Sequence, residues 1–77
     1  MSETSELITN ARKEHNLNRA DFAALIGVAD GTVGMWEADS NQPSLETCLR
    51  IKQNEELPAW VYVLFDKLLA IRISPYV

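Results

Sequence analysis

A chain of 77 residues, 47% of them apolar, is one small domain with apolar side chains enough to build a core, which argues against disorder. One cysteine, Cys48, excludes an internal disulfide and a cysteine-rich zinc module, and the longest apolar run, Ala59 to Phe65, is too short to span a bilayer. A formal net charge of −4 counts against a phosphate backbone as partner without excluding it, because the field at one face decides the matter rather than the sum.

Strand signals are nearly absent, and the apolar spacing predicts an all-α chain of five short helices. The first runs from Thr4 or Ser5 to His15. Leu7, Ile8 and Ala11 give it a narrow apolar stripe, and Glu6 sits in the first turn, where the helix dipole favours an acid. Asn16 stops it. Asn18 caps the second helix, with Asp21 three residues on in a capping-box-like position. Phe22, Ala23 and Ile26 face inward, and Gly27 ends this helix in the left-handed conformation. The third helix covers Asp30 to Ala38, with Val33 and Trp36 as its buried side. Asp39 to Pro43 has loop composition. Ser44 caps the fourth helix, whose stripe is Leu45, Cys48 and Leu49, with Ile51 on the flank. Asn54 to Leu57 is a connector. Pro58 suits the first turn of the fifth helix, which continues to about Ile71, and Pro75 ends regular structure.

Two short helices separated by a few residues around a glycine form a helix-turn-helix pattern, here about residues 18–38. Ala23 leaves room for the two helices to cross closely, Gly27 allows the sharp turn, and Val28 plugs the corner. The stretch from Ile8 to about Ile51 resembles the Cro/repressor-type helix-turn-helix domains, also called the XRE family, of phages and bacteria. The matching residues are Ile8, Arg12 and Leu17; Ala20, Phe22, Ala23, Ile26, Gly27 and Val28; Val33, Trp36 and Glu37; then Pro43, Ser44, Leu45 and Leu49. The resemblance implies a five-helix Cro-like domain over residues 1–77. It also implies that Arg12 pairs with Glu37, which would fix the angle of the third helix more than add stability. The alternative is that each is a solvated charge.

The chain departs from the family pattern at four places. Ala29 stands where a Ser or Thr usually caps the third helix, so Asp30 is expected to take over as cap. Gly34 replaces a small polar residue. Asp39 stands where glycine is usual, and tolerates the left-handed conformation less well. Gly31 and Gly34 in one short helix cost about 1 kcal/mol each relative to Ala. Either these glycines let the backbone approach DNA closely, or the helix is simply poor and is held in place by Val33 and Trp36.

The expected DNA-facing set is Arg19, Asp30, Gly31, Thr32, Gly34, Met35, Ser40, Asn41 and Gln42. Met35 suits a thymine methyl, Thr32 a base edge or phosphate, and Asp30 a cytosine amino group, though it also repels phosphate. Arg19 stands where the family commonly meets a phosphate. Ser40, Asn41 and Gln42 can donate to the next phosphates. Lys13 and Arg50 read better as solubilising charges. No enzyme site, cofactor or metal is expected. His15 lies near a helix end, Cys48 lies in a core stripe, and the acids lack metal-ligand spacing.

The resemblance implies a DNA-binding transcriptional regulator, with a Cro-like repressor of phage or bacterial origin as the expected role. Its third helix (30–38) would enter each half of a near-palindromic operator. The expected partners are double-stranded DNA and a second copy of the chain, and the expected location is the cytoplasm, at the nucleoid when bound. The alternative is a protein-interaction module on the same fold, antitoxin-like or regulator-binding, with weak or no DNA binding. The acidic balance and the glycines favour it; Arg19 and the Trp-Glu and Pro-Ser framework favour DNA. Finally, the segment 57–77 holds more apolar residues than one stripe uses. Trp60, Val61, Leu64, Leu68 and Ile71 form the stripe. Val63, Phe65 and Leu69 are then left to project sideways or outward, and with Ile73 and Tyr76 they form the expected dimer interface.

Overall fold

The computed structural model describes residues 2–73, the side chain of Ile73 excepted. Five helices follow one another: α1 (Glu3–Glu14), α2 (Arg19–Ile26), α3 (Asp30–Glu37), α4 (Leu45–Gln53) and α5 (Ala59–Ile73). There is no strand among the described residues. The chain divides into two compact units, one ending at Gln42 and the other beginning at Pro43.

In the first unit α3 packs against both α1 and α2. The local chemistry that sets each helix end is visible in its hydrogen bonds. Ser2 caps α1, its hydroxyl accepting from the Ser5 amide at 3.1 Å. Asn16 takes a positive φ of 58° after the last turn, and the Leu17 amide donates back to the Arg12 carbonyl at 3.1 Å. Asn18 caps α2 by accepting from the Asp21 amide at 2.7 Å. Gly27 then adopts φ 80°, and its amide and that of Val28 both reach the Ala23 carbonyl, at 2.8 and 3.0 Å. This left-handed closure directs the chain straight into α3. Ile8, Phe22, Ala23, Ile26, Val33 and Trp36 are the buried apolar residues of the unit.

The start of α3 differs from expectation. Ala29 occupies the cap position with extended backbone and provides no side-chain hydrogen bond, and Asp30 is already the first helical residue. With helical backbone, Asp30 sits inside the first turn rather than before it. It therefore contributes as an acid at the positive end of the dipole and not as a cap.

In the second unit α4 packs against α5. Ser44 caps α4, accepting from the Thr47 amide at 3.1 Å. Pro58 precedes the first residue of α5 and its carbonyl accepts from the Val61 amide at 3.0 Å. The Tyr62 hydroxyl donates to the Asn54 carbonyl and accepts from the Leu57 amide, which pins the connector. Arg72 donates to the Pro43 carbonyl at 3.1 Å, joining the two ends of the unit.

Two apolar assignments change here. On α4 the buried positions are Cys48 and Ile51, while Leu45 and Leu49 stay 46% and 45% exposed. The helix has apolar residues on more than one side, and the side that packs is the one carrying Ile51. On α5 the buried set is Val61, Leu64, Phe65 and Leu68, with Trp60, Leu69 and Ile71 half-buried and Val63 exposed. Phe65, expected to project sideways or outward into a dimer contact, is fully buried. Residues spaced i, i+3, i+4 and i+7 share one face, and Phe65 lies four after Val61. The stripe is thus rotated toward Phe65 relative to one centred on Trp60 and Ile71. Ile73 and Tyr76, the remaining members of the expected interface, lie outside the described side chains.

Candidate nucleic-acid interface

Eight residues of α3 divide cleanly. Val33, Trp36 and Glu37 are buried, at i, i+3 and i+4. Asp30, Gly31 and Met35 are exposed, with Thr32 and Gly34 half-buried beside them. A Cβ placed on Gly31 or Gly34 would meet nothing within 4 Å. Packing inside the chain therefore does not require glycine at either position. The outer surface of α3 is a low ridge with Thr32 and Met35 as its only uncharged side chains larger than hydrogen.

What holds this ridge at its angle is a charged cluster beneath it. Glu37, whose side chain is 3% exposed, accepts from Arg12 Nε at 2.7 Å and Arg12 Nη2 at 3.0 Å. Arg12 also donates through Nη1 to the Leu17 carbonyl at 2.9 Å, just before α2 begins. One guanidinium thus ties α1, the α1–α2 turn and the end of α3 together, in the two-pronged geometry that suits a carboxylate. Arg19, the first residue of α2, also donates to Glu37, from Nε to the Oε1 that Arg12 Nη2 reaches, at 3.3 Å. Burial alone would raise the Glu37 carboxyl. The hydrogen bonds and charge of Arg12, then of Arg19, outweigh it and hold the group below the usual carboxylate range. The same contact raises Arg12.

Arg19 differs from Arg12 in exposure: its side chain is 59% in solvent. Ser40, Asn41 and Gln42 are all exposed in the segment after α3. Their first turn is set by Asp39, which adopts φ 61°. Its carboxylate accepts from the Ser2 amide at 2.8 Å, from the Ser2 hydroxyl, and from the Ser5 hydroxyl at 3.5 Å. The Ser2 hydroxyl and amide hold the Asp39 carboxyl below its ordinary range. The residue that departs from the usual glycine therefore anchors the start of α1 to the end of α3. Neither this clamp nor the Arg19–Glu37 contact was read from the sequence. Their partners are 37 and 18 residues apart, and no local pattern links them.

Burial pushes the Cys48 thiol up, away from the reactive thiolate. No group of three or more His, Cys, Asp or Glu among the described residues could hold a metal ion. No helix of the described residues is long and apolar enough to cross a membrane.

A family model described as helix-turn-helix matches residues 8–52, more than half of the chain. The chain belongs to this family, in its Cro/XRE-type form, and is a DNA-binding regulatory domain of that kind. No curated protein and no solved structure matches the chain significantly.

Proposed function

We propose that the protein is a sequence-specific transcriptional regulator, a Cro-like repressor whose α3 enters the major groove at each half of a near-palindromic operator. The observation that carries this reading is the open space over Gly31 and Gly34. Two glycines cost helix stability, and packing within the chain does not explain them. A ridge without side chains at these places lets the backbone come close to base edges, with Met35 and Thr32 supplying contacts beside it. Arg19, Ser40, Asn41 and Gln42 flank the ridge and suit phosphate oxygens, which position the helix rather than specify sequence. Two copies of the chain supply the two ridges that a palindrome requires.

One observation favours a second reading. Residues up to Gln42 hold three cations against seven acids, so the unit that bears α3 carries the whole of the net charge of −4. That field opposes phosphate and suits a basic protein surface. Selection of bound duplexes from a random pool at low salt decides between the two. Enrichment of a palindrome establishes the operator reading. Recovery of no preferred sequence by a folded chain defeats it and leaves the protein-partner reading.

A further inference from the structure

Beyond the α3 surface, the most distinctive exposed patch lies on α4. Leu45 and Leu49 stand one turn apart on its solvent side, 46% and 45% exposed. Glu46, Arg50 and Gln53 line one open concave patch with them. Residues four apart are neighbours on a helix surface. The patch is therefore a leucine ridge beside a second ridge with an acid toward one end and a base toward the other. Glu46 and Arg50 have the spacing of an in-helix ion pair, yet neither has an ion-pair partner among the described residues.

We propose that this face of α4 is the interface with a second copy of the chain, packed antiparallel about a two-fold axis near the middle of the helix. The order of charge selects the occupant. Turned end for end, the face meets its own reverse. Leu45 comes opposite Leu49 of the second copy and Glu46 opposite Arg50, and symmetry repeats both pairs. The pattern is self-complementary only in this direction, since a parallel pairing sets acid on acid and base on base. The proposal moves the dimer contact from α5, where Phe65 is fully buried, to the helix that leaves two leucines outside. It deepens the operator reading and rests on it for its purpose, because association of two chains brings two α3 ridges to one duplex.

Sedimentation equilibrium of the full chain without DNA tests it. The chain should dimerise, and Leu49→Asp, Glu46→Arg and Arg50→Glu should each weaken self-association by about tenfold or more, because like charges then face each other or a charge enters the ridge. All three sites are exposed, so circular dichroism and the melting temperature should stay close to those of the parent. Two outcomes are specific to the antiparallel arrangement. The double swap E46R/R50E should restore association. An equimolar mixture of the E46R and R50E chains should associate more tightly than either alone, since every facing pair is then opposite in sign. A parent chain still monomeric at about 100 µM, a dimer indifferent to all three substitutions, or a mixture no tighter than its components would overturn the proposal. A dimer that passes these tests but selects no duplex defeats the operator reading alone. A palindrome bound with an affinity indifferent to R50E defeats the α4 interface alone.

Discussion

Up to Gln42 the chain carries three cations against seven acids, and its buried residues include Thr4, Ser5 and Glu37; from Pro43 on it carries four of each charge, and no buried polar or charged side chain is found among the described residues. The first unit spends hydrogen bonds on geometry. Arg12 and Arg19 converge on Glu37, and Ser2 and Ser5 on Asp39, so that both the underside of α3 and the segment following it are fixed by charged contacts. The second unit relies on apolar burial, with Cys48, Ile51, Val61, Leu64, Phe65 and Leu68 inside. The difference teaches where each kind of interaction is useful. Apolar packing is non-directional and stabilises whatever is buried. Charge-assisted pairs are directional and stabilise one arrangement. A helix presented to a ligand needs the second kind beneath it.

The largest effects should expose this contrast. Phe65→Ala empties a fully buried aromatic site in the second unit, and should cost about 3–5 kcal/mol in urea denaturation. The loss should be the same at neutral and mildly acidic pH, because no titrating group is touched. A cost near zero would mean that Phe65 is not part of the core. In the first unit Arg12→Met leaves a buried carboxylate with only Arg19 beside it, and should cost about 3 kcal/mol, the low end for a broken buried pair. Adding Glu37→Leu should recover most of that loss. Additive effects of the two substitutions would show that the pair does not couple.

A pH titration sharpens the same comparison with a smaller effect. The Glu37 carboxyl is held below its ordinary value in the folded chain. Its ionised form is therefore favoured by folding. The stability it contributes is fully present above the ordinary carboxylate range, about pH 4.3, and is lost as pH falls through the depressed folded value. Glu37→Gln should flatten this acid-side decline, measured by thermal melts from pH 7 downward, whereas Phe65→Ala should leave its slope intact. A Glu37→Gln chain with the parent's slope would assign the acid sensitivity to other carboxylates.

The fold was legible where chemistry is local. Ser44, Asn18, Gly27 and Pro58 mark helix ends through groups a few residues away, and the five helices follow from them. The family framework from Ile8 to Leu49 was legible for the same reason, as fixed residue types at fixed offsets. The failures share a different cause. The sides of Phe65, Leu45 and Leu49 do not follow from periodicity, because α4 and α5 are apolar on several sides and spacing alone does not say which side packs. Asp30 was misplaced by one position, which is enough to turn a cap into a first-turn acid. Asp39 looks like a poor substitute for glycine in the sequence because its compensation comes from Ser2, at the far end of the unit's sequence. The residues proposed to face DNA follow from the family framework and from side-chain chemistry. Their support does not, because Arg19 has no sequence signal connecting it to Glu37.

The smallest expected effect separates the fold from its proposed use. Gly31→Ala and Gly34→Ala each add one methyl group where nothing lies within 4 Å. Both residues are inside α3 and neither has a positive φ, so alanine fits the backbone without strain. Each substitution should therefore stabilise the chain by about 0.5–1 kcal/mol, raising the melting temperature by a few degrees. If the ridge meets DNA through its backbone, the same methyl groups stand between α3 and the base edges. Affinity for the selected operator should then fall as stability rises, and the discrimination between that operator and unrelated duplexes should shrink. The opposed signs are the useful part. A substitution that merely damaged the helix would lower both quantities, and one on an idle surface would raise stability alone. Melting curves and operator titrations on the same two variants decide the matter, and unchanged affinity in both would remove the close-approach reading of the glycines.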